Sequence, residues 1–218
     1  MKHYSFYGLN DFIICCGYKG HIIKEFFAKY RNNFSDFTID FNNNSIQLLS
    51  SNSDPWRVTL IDTGLSTQTG GRIARIRDYL DDTFFLTYGD GLSDVNIKQL
   101  FEFHKSEGKQ CTVTTVQPEA RFGAIEMEGT SIVNFHEKPI GDNRWINGGF
   151  FVCEKSVVNL IDGDSCIWER EPLQRLSRAQ QLAGFKHSGF WMPMDTMRDK
   201  NMLEELWASD KAPWRSWS

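Results

Sequence analysis

The sequence predicts an α/β fold built on a doubly wound, mostly parallel sheet, and three observations predict it. Short runs of β-branched and aromatic residues alternate with amphipathic stretches of about 10–15 residues, the pattern of successive βα units. Clusters of Gly, Thr and Asp follow directly after several of those runs, where open α/β sheets hold their ligands. No repeat, low-complexity tract or linker interrupts the pattern, and 218 residues, at about 150 per domain, make a single domain spanning 1–218.

The elements follow in order. Phe12–Cys16 is a short strand closed by Gly17, and Lys19–Tyr30 sets Ile22, Ile23, Phe26, Phe27 and Tyr30 at helical spacing. Arg31–Ser53 is polar and Asn-rich, with an alternating Phe37/Ile39/Phe41 stretch that predicts an edge hairpin or an excursion from the sheet. Val58–Ile61 restarts a strand, Gly70–Leu80 is a helix with Ile73, Ile76 and Leu80 on one face, and Phe84–Tyr88 is a strand ending at Gly89-Asp90-Gly91. Ser93 and Asp94 are N-cap candidates for a helix through His104, stopped by Gly108. Cys111–Val116, Ile132–His136 and Ile146–Cys153 are further strands, the last broken by Gly148-Gly149. From Glu169 to Trp207 the pattern is mainly helical, with Phe190-Trp191-Met192-Pro193 between helices.

Composition bounds the function. With 40% hydrophobic, 14% aromatic and 24% charged residues, the chain has the means to build a core. A net charge of −4 and the lack of any Lys/Arg run argue against a nucleic-acid groove. No run approaches the roughly 18 apolar residues of a membrane span, and Met1–Asn10 is no signal peptide, so a cytoplasmic location is expected. The five cysteines include no C-x-x-C pair, which indicates neither a disulfide framework nor a zinc site.

Four polar clusters follow apolar runs. In Thr87-Tyr88-Gly89-Asp90-Gly91 the glycines let a ligand approach the backbone, and Asp90 projects a carboxylate where a hard cation would sit against phosphate oxygens; a plain Gly-Asp-Gly turn is the alternative. In Asp62–Arg72 the backbone of Gly70 and Gly71, the hydroxyls of Thr67 and Thr69 and the cation of Arg72 make a cradle for a base or phosphate, and an ordinary helix start explains them about as well. Glu137-Lys138-Pro139 and the nearby Asn147 offer a point charge for phosphate and an amide for sugar hydroxyls, although a Lys-Pro alone is more often a surface turn. Asp195, between apolar neighbours, is costly to bury without a partner; by itself it is most simply the N-cap of a helix beginning near Thr196. Asp162-Gly163-Asp164 spells a D-x-D metal motif but reads as a turn, and His104 and His136 lack a nucleophile, which argues against a hydrolytic triad.

In order along the chain, Phe12–Gly20, Asp62-Thr-Gly, Thr69-Gly-Gly-Arg72, Thr87-Tyr-Gly-Asp-Gly91, Arg121-Phe-Gly123, Glu137-Lys-Pro139, Asn147-Gly-Gly-Phe-Phe151, Trp168-Glu-x-Glu-Pro172 and Phe190–Thr196 resemble the glucose-1-phosphate cytidylyltransferases of the sugar-phosphate nucleotidyltransferase superfamily. The resemblance implies a Rossmann-like nucleotide-diphospho-sugar transferase fold whose sugar-binding and helical part runs from about 120 to 218. It implies nucleotidyl transfer from CTP to α-D-glucose 1-phosphate, giving CDP-glucose and pyrophosphate for dideoxysugar and O-antigen synthesis, by a homo-oligomer. Asp90 and Asp195 would hold Mg²⁺; Thr67, Arg72 and Gly89 would contact the nucleotide, with Gly70 and Gly71 near the base. Lys138 would clamp the sugar phosphate, and Gly123, Glu137, Asn147 and Glu171 would line the glucose pocket.

The family pattern opens with a strand and a G-G-x-G-T-R phosphate loop, followed by its own lysine-bearing K-P segment distinct from Lys138-Pro139, and neither that loop nor that segment is in the sequence. The chain is therefore expected to lack the first βα unit, to expose a sheet edge there and to turn over weakly or not at all. A non-catalytic subunit that keeps a sugar-phosphate pocket or an oligomer surface is the competing expectation.

Overall fold

A computed structural model describes residues 1–50, 53–118, 124–136 and 145–217. Packing divides the chain into two bodies, Met1–Leu80 with Val158–Gln174, and Asp81–Val157 with Arg175–Ser218.

The first body opens with α1 (Lys2–Phe6), β1 (Asp11–Cys16) and α2 (Gly20–Asn33), then a hairpin of β2 (Phe37–Asp40) and β3 (Ser45–Leu48), then β4 (Arg57–Asp62) and α3 (Thr69–Arg75). β1 and β4 pair in parallel, Asp11 opposite Arg57 and Cys16 opposite Asp62, so their carboxyl ends emerge side by side. The hairpin forms as a two-stranded sheet of its own, the excursion from the sheet rather than an edge hairpin, with Phe37 opposite Leu48 and Ile39 opposite Ile46. The helix expected over 70–80 is shorter: α3 stops at Arg75 and a 3-10 turn carries Arg77–Tyr79, yet Ile73, Ile76 and Leu80 are all buried as their spacing requires. The α2 face behaves differently. Tyr30 stacks on Trp56, with ring centroids 5.4 Å apart, while Ile22 and Phe26 are about half exposed.

The second body contains β5 (Thr83–Thr87), β6 (Gly91–Ser93), α4 (Ile97–Glu107), β7 (Cys111–Val116), the hairpin β8 (Ala124–Glu128) and β9 (Ser131–His136), and β10 (Ile146–Glu154). After α5 (Glu171–Arg178) come β11 (Leu182–Lys186), β12 (Trp191–Pro193) and α6 (Met197–Ala208). Its main sheet has the order β11-β7-β10-β5. β10 is antiparallel to both β5 and β7, and β11 is parallel to β7, so β5, β7 and β11 share one direction. Their carboxyl ends and the start of β10 therefore lie at the same end of the sheet. Val95, Ile97, Leu100, Phe151, Val152 and Val157 are buried in its core.

Three expectations need correction here. The α4 cap is Asn96, whose side chain accepts the Gln99 N–H at 3.0 Å; Ser93 and Asp94 belong to β6 and its end, and serve another purpose described below. The last third is not mainly helical, because Leu182-Ala-Gly-Phe-Lys186 is a sheet strand. Ala and Gly hide it from any propensity argument, and its pairing with β7 over five positions makes the strand. Asp195 is not a helix cap: Thr196 caps α6, accepting the Asp199 N–H while the Asp199 carboxylate accepts the Thr196 N–H.

Candidate active site

The end of the second body's sheet is built from the segments that follow β5 and β11. Beyond β5, Gly89 and Asp90 turn the chain into β6, and β12 lies antiparallel to β6 with Trp191 opposite Ser93 and Pro193 opposite Gly91. One step further the Met194 N–H donates to the Asp90 carbonyl at 2.8 Å. That bond sets the Asp90 backbone beside the residue preceding Asp195, so two acidic residues 105 positions apart in sequence come to neighbouring backbone positions at one strand end. Both are exposed, so the cost of burying Asp195 that the sequence suggested does not arise. A Cβ built on Gly89 or Gly91 meets nothing within 4 Å, so the turn is open to a ligand.

Asn147 sits at the same sheet end and is held on both sides. Its amide donates to the Tyr88 hydroxyl at 3.2 Å and its carbonyl accepts the Gly149 N–H at 2.8 Å. Gly149 has φ +79, and a Cβ there would lie 2.7 Å from the Tyr88 ring, so only glycine allows the bulge that aims Asn147. Trp191 adds a further tie, its indole N–H donating to the Gly148 carbonyl at 2.7 Å. Sequence reasoning missed Tyr88 and Trp191 as supports, and no spacing rule pairs residue 191 with residue 148.

The first body carries the other cluster. Thr67 is buried, and Gly64, at φ +88, leaves room for its hydroxyl. Gly70 and Gly71 open α3 against the backbone of Asp164 and Cys166: a Cβ on Gly70 would fall 2.8 Å from the Cys166 carbonyl oxygen, and one on Gly71 would fall 2.5 Å from that of Asp164. The Gly71 N–H donates to Cys166 at 3.2 Å. Arg72 lies across Gly17 and donates to the Cys16 carbonyl at 3.2 Å and the Thr63 hydroxyl at 2.7 Å, joining the ends of β1 and β4. The Asp162-Gly163-Asp164 turn, with Gly163 at φ +82, presents Asp164 to Arg75, consistent with a turn. Glu171 begins α5 and is exposed; Thr69 links the same region to Glu169 at 2.6 Å. Gly123, Glu137 and Lys138 lie outside the described residues.

Among the described residues no group of three or more His, Cys, Asp or Glu side chains gathers into a metal cage. The exposed pair Asp90 and Asp195 supplies hard oxygen donors on adjacent segments. That set fits a divalent cation that keeps several waters and completes its shell with substrate phosphates.

The nucleotidyl transferase family model matches residues 11–191. This chain belongs to the nucleotidyl transferase family. It is 50% identical to the glucose-1-phosphate cytidylyltransferases of Salmonella typhi and Salmonella typhimurium, over all of this chain and 85% of each relative. Among solved structures it resembles HddC from Yersinia pseudotuberculosis, with a TM-score of 0.66 at 16% identity over 95% of this chain and 83% of that one. It also resembles apo UDP-glucose pyrophosphorylase, with a TM-score of 0.64 at 10% identity over 96% and 85% of the two chains. The nucleotidyl transferase chain thus has the expected α/β, Rossmann-like sugar-nucleotide transferase fold, with a mixed rather than wholly parallel main sheet.

Proposed function

We propose that this nucleotidyl transferase forms CDP-glucose and pyrophosphate from CTP and α-D-glucose 1-phosphate. The observation that carries the reading is 50% identity to glucose-1-phosphate cytidylyltransferases along the whole chain. A phosphate oxygen of the sugar phosphate attacks the α-phosphorus of CTP in line, a new P–O bond forms and the bond to pyrophosphate breaks. Catalysis of such a step is mostly positioning and charge neutralisation.

The roles divide by body. Asp90 and Asp195 hold Mg²⁺, which when bound neutralises charge on the triphosphate. Gly89, with open space around it, lets the nucleotide approach the backbone. Asn147, locked between Tyr88 and Gly149, presents its exposed amide to sugar hydroxyls. Lys138 neutralises the sugar phosphate, Gly123 and Glu137 line the glucose pocket, and Glu171, in the first body, is an acceptor for sugar hydroxyls. In the first body Thr67, Gly70, Gly71 and Arg72 shape the nucleotide side, through the ends of β1, β4 and α3 that they hold together. The protein is read as a cytoplasmic homo-oligomer serving O-antigen synthesis; no helix among the described residues is long and apolar enough to cross a membrane.

The test is CDP-glucose formation from CTP and glucose 1-phosphate with Mg²⁺, followed by chromatography alongside calorimetric binding of glucose 1-phosphate. Product that appears with CTP and is lost in Asp90→Ala supports the reading. Binding of the sugar phosphate without product supports a non-catalytic binding subunit instead, and product unaffected by Asp90→Ala overturns the role of that carboxylate.

A further inference from the structure

Asp90 and Asp195 come to neighbouring backbone positions because the segment between β11 and α6 returns onto β6, and an imidazole helps to pin that return. His187 continues the β11–β7 ladder, its N–H donating to the Thr115 carbonyl at 2.9 Å, so its backbone is fixed to the main sheet. Its ring is nearly buried, with 11% of the side chain exposed. Nε2 lies 3.0 Å from Asp94 Oδ1, 3.2 Å from the Phe190 carbonyl and 3.2 Å from Ser93 Oγ. Ser93 already donates to the Phe190 carbonyl at 2.8 Å, and that carbonyl also accepts the Asp94 N–H at 3.2 Å. Carboxylate and carbonyl can only accept, so the network assigns the proton to Nε2, with the Asp94 carboxylate as its main acceptor.

Gly189 makes this contact possible. A Cβ on it would lie 2.5 Å from Asp94 Oδ1 and 2.7 Å from His187 Cε1, so any side chain there separates the pair. The pin therefore joins the main sheet, through His187, to the end of β6, through Asp94. Between those two anchors runs the β6–β12 ladder that ends in the Met194-to-Asp90 bond.

We propose that His187 is a positioning residue for the metal-binding carboxylates: its Nε2–H to Asp94 holds β12 in register on β6 and so sets the approach of Asp195 to Asp90. The inference rests on the reading of Asp90 and Asp195 as metal ligands. Groups hydrogen-bonded directly to metal ligands typically cost about 10–100-fold in metal affinity when removed, and His187, which acts through Asp94 and the β6–β12 ladder, is expected at the low end of that range.

The experiment is Mn²⁺ binding to the full chain, without substrates, followed by electron paramagnetic resonance and water-proton relaxation. Asp90→Ala tests the underlying reading: if Mn²⁺ binding survives it unchanged, the carboxylates are not ligands and the inference falls with them. If Asp90→Ala removes binding, His187→Phe is expected to raise the Mn²⁺ dissociation constant roughly tenfold. Gly189→Ala, which leaves the imidazole in place but drives Asp94 away from it, is expected to raise it about threefold. His187→Gln, which keeps an N–H donor at a similar reach, is expected to restore affinity to within about twofold of the native chain. A thermal melt on each variant monitors folding. Native Mn²⁺ affinity in folded His187→Phe, or equal losses in His187→Phe and His187→Gln, overturns the proposal.

Discussion

Two glycine pairs look alike in the sequence and do opposite things in the two bodies. In the second body Gly89 and Gly91 flank Asp90, and an added Cβ at either would meet nothing within 4 Å. In the first body Gly70 and Gly71 flank no carboxylate, and an added Cβ would strike the backbone of Cys166 or Asp164 at 2.8 and 2.5 Å. One pair leaves room for a ligand, and the other lets two chain segments pack against each other. A glycine-rich turn after a strand therefore says that something comes close to the backbone, without saying whether that something is substrate or the protein itself.

The largest effect that breaks the comparison is on activity. Asp90→Ala and Asp195→Ala each remove one of two carboxylates held by the β6–β12 ladder, and each is expected to lower turnover by at least about a hundredfold. Melting temperature should barely change, because both side chains are exposed. Steady-state rates across a Mg²⁺ series check this, and near-native rates in either variant at ordinary Mg²⁺ would remove that residue from the site.

Stability shows the next largest difference. Gly71→Ala places a methyl 2.5 Å from backbone that no side-chain rotation can move, so about 1–3 kcal/mol of destabilisation is expected. Gly91→Ala meets open space and should stay within about 0.5 kcal/mol of the native chain while still lowering activity. Chemical denaturation of the two variants decides the matter. Equal stabilities would mean that α3 opens away from the Asp164 turn at little cost.

Much of this was legible in the sequence, for reasons that differ by element. Cys111–Val116 and the Phe37/Ile39/Phe41 hairpin declare themselves by β-branched and alternating residues, and the structure forms both. Ile73, Ile76 and Leu80 are buried as their spacing demands, although α3 ends early. The strand Leu182–Lys186 was illegible because Ala183 and Gly184 carry no strand signal, and its partner β7 lies some 70 residues upstream. Asp195 was ambiguous for a local reason: next to Thr196 it looks like a cap, and only the capping box between Thr196 and Asp199 frees it for another role. The ring of contacts around His187 was equally hidden, since Ser93 and Asp94 look like caps for α4 until Asn96 is seen to do that work.

The smallest expected effect lies in the first body and appears only in alkali. Burial first, then the bond to Asp54, pushes the Tyr30 phenol from 10.0 up to about 12. Burial, partly offset by the Arg72 cation, pushes the Cys15 thiol from 9.0 up to about 11. Both shifts favour the protonated form in the folded chain. Their stabilisation is therefore complete below about pH 9 and is lost as pH rises through about 11 to 12. Cys153 in the second body is also pushed up, by burial first and by its bond to Cys111, so the fall in melting temperature above pH 9 has contributions from both bodies. Tyr30→Phe isolates one of them: it removes a titrating group, so its melting temperature should fall less steeply between pH 9 and 11.5 than that of the native chain, even if it starts lower. Absorbance at 295 nm gives an independent check, because the late ionisation of the Tyr30 phenol, at about 12, should be missing from the alkaline titration of the variant. Parallel slopes together with an unchanged late step would mean that Tyr30 titrates normally and that the α2 end is open to water.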